Sequence, residues 1–455
     1  MLAKFADCSR PLLFESTLKR ERLGNYSFLV ADPYQTVEVK SPTYGIDPFQ
    51  SLKRSLAACS ANHDPELPPF QGGAAGLLSY ELGGCWEKLP TAKHDEFKLP
   101  ALSVGLYDWV IAWDHAQGRC WVISQGFPET TPADRVVRAR ARMDEVLARL
   151  NGDATPDAAK PVERRLSSEL APSFACDSLQ ELISDFPRDA YFNAVQRVID
   201  YIRAGDIFQT NLSQRLLFPC KHSPLTFYNR LRERNPAPFS AYYQTDDWAI
   251  ASASPERFLQ VQDRQVSTRP IKGTRRRGLA ESDLYIRDEL RESSKDNAEN
   301  VMIVDLLRND LSRVCQPGTI SVPNLCSVES YETVNHLVSE VRGILSEDRS
   351  PWDLLEASFP GGSITGAPKV RAMEIIAELE PTARGPYCGS LFYVGFDGWM
   401  DSSILIRTFT IRDGWVQCPV GGGIVADSNP ADEFEETLHK AEGMLRALDD
   451  DFSDR

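Results

Sequence analysis

Apolar positions recur along this chain with two periods, and the two alternate from end to end. Period-two runs at Leu12-Leu13-Phe14-Glu15-Ser16 and Tyr26 to Ala31 predict strands, as do Val104 to Trp113 and Cys120 to Ile123, joined by a turn. A Gly-rich stretch, Phe70 to Tyr80, follows Pro68-Pro69. A helix is predicted over 132–150, opened by Pro132 and closed before Asn151-Gly152, with Val137, Val146, Leu147 and Leu150 on its apolar side. Residues 151–188 are rich in Ala, Pro, Ser and charge and predict a connector between an N-terminal region, 1–150, and a second region, 189–449. In the second region Tyr191 to Ala204 reads as an amphipathic helix ended by Gly205. Arg257 to Gln262 and Ser403 to Thr410 read as strands. Lys295 to Val314 predicts a long helix, and a last one begins near Ser428-Asn429-Pro430 with the stripe Phe434, Leu438, Ala441, Leu445 and Leu448. No solenoid repeat is present.

Composition narrows the class. The 455 residues exceed what one small core needs, and 42% hydrophobic with 25% charged is an ordinary globular balance. No run is apolar for long enough to span a membrane, and Met1 to Asp7 lacks a secretory h-region, so a cytoplasmic protein is expected. A net charge of −15 argues against nucleic acid as partner. The ten cysteines form no C-x-x-C pair and the six histidines no H-E-x-x-H, which fits reduced thiols and disfavours a zinc hydrolase.

Four features suggest chemistry. In Thr268-Arg269-Pro270-Ile271-Lys272-Gly273-Thr274 a lysine lies between a proline-fixed segment and a glycine, with arginines at 269, 275, 276 and 277. A partly desolvated lysine among cations has its pKa lowered towards a nucleophilic free amine, although a solvated basic loop is the commoner meaning of such a segment. Glu299 heads the apolar stripe of the long helix, where a carboxylate needs a counter-charge, a proton or a metal. Glu433 and Glu436 share another face of the last helix; they complement its dipole or hold a hard cation. Arg407 in its strand-like run would suit capture of a carboxylate. The Gly-rich stretches are not nucleotide motifs: in Gly361 to Lys369 the lysine arrives too late for a P-loop, and Gly421-Gly422-Gly423-Ile424-Val425-Ala426 lacks the third glycine of the dinucleotide fingerprint.

Together, Phe359-Pro360-Gly361-Gly362-Ser363-Ile364-Thr365-Gly366-Ala367-Pro368-Lys369, Glu299 to Asp310 and Gly421 to Ser428 resemble the chorismate-utilising enzymes through most of 189–449. The first region resembles, more loosely, that of anthranilate synthase component I. The resemblance implies an α+β fold, an α/β sandwich of two large antiparallel sheets flanked by helices. Gln209 stands where water-adding relatives place a lysine, which implies amine addition. Lys272 stands where anthranilate synthases have alanine, which implies the branch that makes 4-amino-4-deoxychorismate for 4-aminobenzoate and folate. The implied route begins with Lys272 attacking C2 of chorismate as the C4 hydroxyl leaves, with Glu256 as proton donor; ammonia then attacks C4 and expels the lysine. Mg²⁺ on Glu299 and Glu436, with Glu433 nearby, would bind the ring carboxylate. Arg407, His336, Tyr393, Thr365, Gly366, Gly423, Gln209 and Lys369 would line the substrate pocket. No glutaminase nucleophile elbow is recognisable, so a glutamine amidotransferase subunit is the implied ammonia source. Ser16 and Pro238 match a site where some relatives hold tryptophan.

Overall fold

The computed structural model describes residues 1–18, 24–59, 61–153, 164–176, 179–277, 280–330 and 334–448. The expected bound at 449, and residues 154–163 and 177–178 of the expected connector, lie outside these. The fold is α+β, as expected: the described residues form one sheet of 12 strands and one of 10, built from antiparallel pairs, with helices on their outer faces. Both sheets draw on both regions. Leu12–Glu15, Tyr26–Val30, Trp109–Asp114 and Arg119–Ser124 extend the first sheet, joining it where Leu12 faces Tyr243. Gln35–Val39, Gly73–Leu78 and Leu102–Tyr107 extend the second, joining it where Gly76 faces Phe392. Glycine is required at 73 and 76, which take φ of +144° and +159°; a Cβ there would collide with the carbonyls of Val394 and Ser103.

Three apolar layers follow from this topology. Leu12, Phe28, Tyr243 and Ile250 of the first sheet meet Ala75, Leu77, Leu391 and Tyr393 of the second between the sheets. Beyond the first sheet, Leu216, Phe409 and Val416 pack on Phe227, Leu231, Ala441 and Leu445 of the helices Pro224–Arg234 and Pro430–Leu448. Beyond the second, Phe258, Phe392 and Val341 pack on Ile303, Leu307 and Leu355. Among the described residues no helix is long and apolar enough to cross a membrane.

Two long apolar runs prove to be broken. Val104 to Trp113 divides at Asp108 into Leu102–Tyr107 in the second sheet and Trp109–Asp114 in the first. Ser403 to Thr410 divides at 405–407 into Met400–Ile404 in the second and Thr408–Arg412 in the first. The chain also crosses between the sheets at Pro255-Glu256, between Trp248–Ser254 and Arg257–Gln262. Both sheets demand the same alternation, so the pattern alone does not reveal a change of sheet.

The helix predicted over 132–150 runs from Pro132 to Asn151, capped by Thr131. Its apolar side is less used than expected, with Val137 and Leu147 exposed and only Val146 buried. Arg138 and Arg142 anchor it instead, at 3.0 and 3.3 Å from the fully buried Asp108 carboxylate at a sheet crossing. Within the expected connector, Phe174–Ala175 and Ile183–Ser184 form short strands at the edge of the first sheet.

Candidate active site

The strand Ile271–Arg276 lies at the edge of the second sheet. Lys272 pairs with Leu337 and Thr274 with His336, so Gly273 is an extra residue in the ladder, with φ of +76°. Such a bulge re-aims the side chain beside it. Lys272 Nζ reaches the first sheet, 3.4 Å from where a Cβ on Gly423 would lie. That Cβ would also collide with Gln209 Nε2, so glycine at 423 makes room for both side chains. Gln209 is 2% exposed, and its Oε1 has no hydrogen-bond partner among the described residues.

Glu256 and Arg407 come from the two neighbouring sheet crossings. The crossings are tied together by Ile404 N to Glu256 O and Ala253 N to Arg407 O, both 3.1 Å, and by Ser254 Oγ to Ile404 O at 2.5 Å. Arg407 adopts φ of +52°. Its guanidinium makes no ion pair or hydrogen bond among the described residues, and burial lowers its pKa. An unpaired, half-buried cation is a ready site for a carboxylate.

Glu256 is buried and accepts a hydrogen bond from Ser363 Oγ at 2.6 Å. Burial raises its pKa to about 7, against the opposing pull of Ser363 and Lys272. For Lys272, burial lowers the pKa; Glu299, Glu256 and Glu436 pull it upward and Lys440 pushes it down, and the amine stays below its ordinary value. A proton-holding carboxyl and an amine inclined to lose its proton therefore share one site.

The acids form the third side. Glu433 Oε2 and Glu436 Oε1 lie 3.3 and 3.7 Å from the position of a Cβ on Gly422, flanking one point. Burial raises the pKa of Glu433 and of Glu299. It also pushes Glu436 upward, but Lys440, Lys295 and Lys272 outweigh it and hold that carboxyl low. Lys440 bonds Glu436 Oε1 at 2.6 Å and the Gly421 carbonyl at 3.0 Å, while Lys295 lies 3.8 Å from Glu433 and Ser428 Oγ bonds Glu433 at 2.6 Å. Among the described residues no three Asp, Glu, His or Cys side chains converge on one metal-sized space. The donor set nonetheless suits Mg²⁺, which typically uses one or two carboxylates and takes its other oxygens from substrate and water.

The remaining predicted residues divide. Gly366, at φ +156°, faces Thr210 and leaves no room for a Cβ against the Gln209 carbonyl; buried Thr365 precedes it and bonds the Gly361 carbonyl through Oγ1 at 3.0 Å. His336 is buried on the strand beside Lys272. Tyr393 is elsewhere: it stacks on Phe70 at 4.4 Å between ring centres and lines a separate cavity of about 270 Å³ with Phe14, Pro238 and Arg257. Ser16 sits beside that cavity's Gly24, its Oγ bonded to the Leu18 carbonyl at 2.9 Å. Lys369 points away as well, bonded to Asp310 at 2.7 Å and to the Ser358 carbonyl at 2.8 Å. Sequence reasoning passed over Ser363, although it lies inside a quoted motif, and Lys440, whose i,i+4 spacing from Glu436 was a readable signal.

The chorismate binding enzyme family model matches residues 10–446. Aminodeoxychorismate synthase component 1 of Klebsiella aerogenes is 41% identical over 452 residues, covering 96% of this chain and 93% of that protein. Anthranilate synthase component 1 of Thermus thermophilus is 38% identical over 446 residues, covering 96% and 92%. The crystal structure of anthranilate synthase component I from Streptococcus pneumoniae superposes with a TM-score of 0.78 at 29% identity, covering 94% of each chain. With its matched span, its two antiparallel sheets and its near-full-length relatives, this chain belongs to the chorismate-binding enzyme family.

Proposed function

We propose that the chain converts chorismate and ammonia to 4-amino-4-deoxychorismate. Relatives that make either amino product match at similar identity. The observation that carries the choice is Lys272, a lysine of lowered pKa set between Glu256 and the Gln209–Gly423 wall.

In this reading the Arg407 guanidinium holds a substrate carboxylate, and Glu299 and Glu436, with Glu433 nearby, would hold Mg²⁺, which would neutralise charge on the ring carboxylate. Lys272 supplies the first bond. Its neutral amine attacks C2, the ring double bonds shift, and the C4–O bond breaks. The departing oxygen takes the Glu256 proton and leaves as water. Ammonia then forms a bond to C4, the double bonds shift back, and the C2–N bond to Lys272 breaks. The amine nitrogen that attacked C2 leaves from C2, so the new amine is at C4. Glu256, now ionised, takes up the surplus proton and the site is restored. The ammonia source is a glutamine amidotransferase subunit.

Supplying the purified chain with chorismate, Mg²⁺ and an ammonium salt tests this. A product that an added lyase converts to 4-aminobenzoate is expected. Fluorescent 2-aminobenzoate as the main product would overturn the assignment in favour of anthranilate synthesis.

A further inference from the structure

The strand Gln209–Pro219 pairs from Thr210 to Pro219 with Trp415–Ile424 on one side. On its other side the pairing is interrupted. Gln209 and Thr210 face Ala367 and Gly366, Leu216 and Leu217 face Ser184 and Ile183, and among the described residues no strand lies between. Side chains fill the gap. Arg384 Nη2 donates to the Asn211 carbonyl at 3.2 Å, and Glu380 Oε1 accepts from Ser213 N and Ser213 Oγ, both at 2.8 Å. The two side chains are 3% and 5% exposed and bonded to each other at 2.8 and 2.7 Å. The remaining terminal nitrogen, Nη1, donates to the Ile364 carbonyl at 3.0 Å.

The two carbonyls that Arg384 joins belong to different walls of the site. Ile364 lies between Ser363, which bonds Glu256, and Thr365, whose carbonyl accepts Asn211 N at 2.7 Å. Asn211 lies opposite Gly423 and two residues beyond Gln209. A buried ion pair is seldom a net source of stability compared with apolar packing, whereas a planar guanidinium with every nitrogen engaged fixes geometry. We propose that Arg384 and Glu380 are positioning residues, which set the Ser363–Glu256 wall against the Gln209–Gly423 wall across the reacting ring.

The proposal rests on the reading of this site as acting on chorismate, and Arg384→Lys tests it. Lysine keeps the charge beside Glu380 but cannot bond both carbonyls as a fork does. Amide hydrogen exchange at Asn211 and at 363–366 should quicken. A displacement of the order of 1 Å should lower kcat/KM by about 10²-fold. The basic limb of the pH–rate profile should move upward, because the Ser363 hydrogen bond that restrains the Glu256 pKa is loosened. Arg138→Ala, which breaks an ion pair to Asp108, should lower the melting temperature and leave that limb and kcat/KM in place. An Arg384→Lys enzyme with a lowered melting temperature but wild-type kcat/KM, pH limb and exchange at 363–366 would overturn the positioning role. A wild-type chain that makes no product would refute the assigned reaction instead. Chorismate affinity by calorimetry and the exchange rates then decide the positioning role, unchanged values of both overturning it.

Discussion

Glu256→Gln is the perturbation whose consequences the structure defines most fully. The carboxyl is buried, bonded to Ser363, and titrates near about 7, not near its ordinary value of 4.5. A proton donor with that pKa is half protonated at about pH 7 and about one-tenth protonated at about pH 8, so kcat should fall about tenfold per unit above that point. The acidic limb runs the other way, because Lys272 must lose a proton before it attacks, and its lowered pKa brings that limb towards neutrality. The two groups sense each other, so the resulting bell reports the pair. Glutamine keeps the shape and a hydrogen-bonding capacity towards Ser363 but cannot transfer a proton. General acid catalysis contributes about 10²–10⁴-fold, which corresponds to about 3–5 kcal/mol of barrier. The assay is chorismate with ammonium at saturating Mg²⁺, with 4-aminobenzoate read after an added lyase and rates corrected for the free ammonia fraction at each pH. The expected result is a loss of kcat in that range and disappearance of the basic limb. A Glu256→Gln enzyme with wild-type kcat and an intact basic limb would refute the role.

Lys272→Ala should abolish the 4-amino product, and intact mass after a rapid acid quench with chorismate should show an adduct on the wild type only. An adduct on the alanine variant would assign the nucleophile to another residue. Gly273→Ala forces a side chain onto φ of +76° with its Cβ 2.9 Å from Leu290 Cδ1 and 3.0 Å from the Asp296 carboxyl. It should cost about 1–3 kcal/mol of stability in denaturant melts and lower kcat with it; unchanged kcat would mean that the bulge does not aim Lys272. Glu81, raised by burial to about 7, keeps its proton in the fold at pH values where the unfolded chain has lost it. Its contribution to stability is therefore fully present at low pH and is lost as pH rises from the ordinary 4.5 to about 7. Glu81→Gln should remove up to about 3 kcal/mol of that fall, at about 1.4 kcal/mol per unit, and melts in which the variant and the wild type keep a constant difference across this window would contradict the sign. Glu436→Gln should weaken Mg²⁺ binding measured by calorimetry at least about tenfold, and equal affinity would remove Glu436 from the site.

Part of the candidate site's arrangement was legible because its signals are local. Glu433 and Glu436 lie three apart on one helix, and Lys272 directly precedes the glycine that forms the bulge. Lys369 misled because its partner is not local: Asp310, 59 residues away, takes the charge that the motif seemed to offer a ligand. Tyr393 misled for a related reason. Alternation fixes which side of its strand it occupies, but it does not say that this side faces Phe28 and Phe70 between the sheets. Arg384 gave no signal at all, because its worth depends on the gap that the described strands leave beside residues 211–215, which only the assembled sheet reveals.

The sheet crossings explain why these failures cluster near the chemistry. A strand continuing straight through 254–257 or 405–407 would bury its polar groups in ladder bonds and place alternate side chains on the two faces of one sheet. By leaving one sheet for the other, the chain frees Glu256 and Arg407 from that alternation and ties their two crossings by backbone hydrogen bonds where the sheets part. The cost is visible locally, in the left-handed backbone at Arg407 and in a half-buried guanidinium with no partner among the described residues. In the proposed reaction Glu256 holds a proton, Lys272 gives one up and Arg407 takes a carboxylate; such a set cannot be built from positions that satisfy the sheet pattern, so the pattern fails first at the residues that reaction would use.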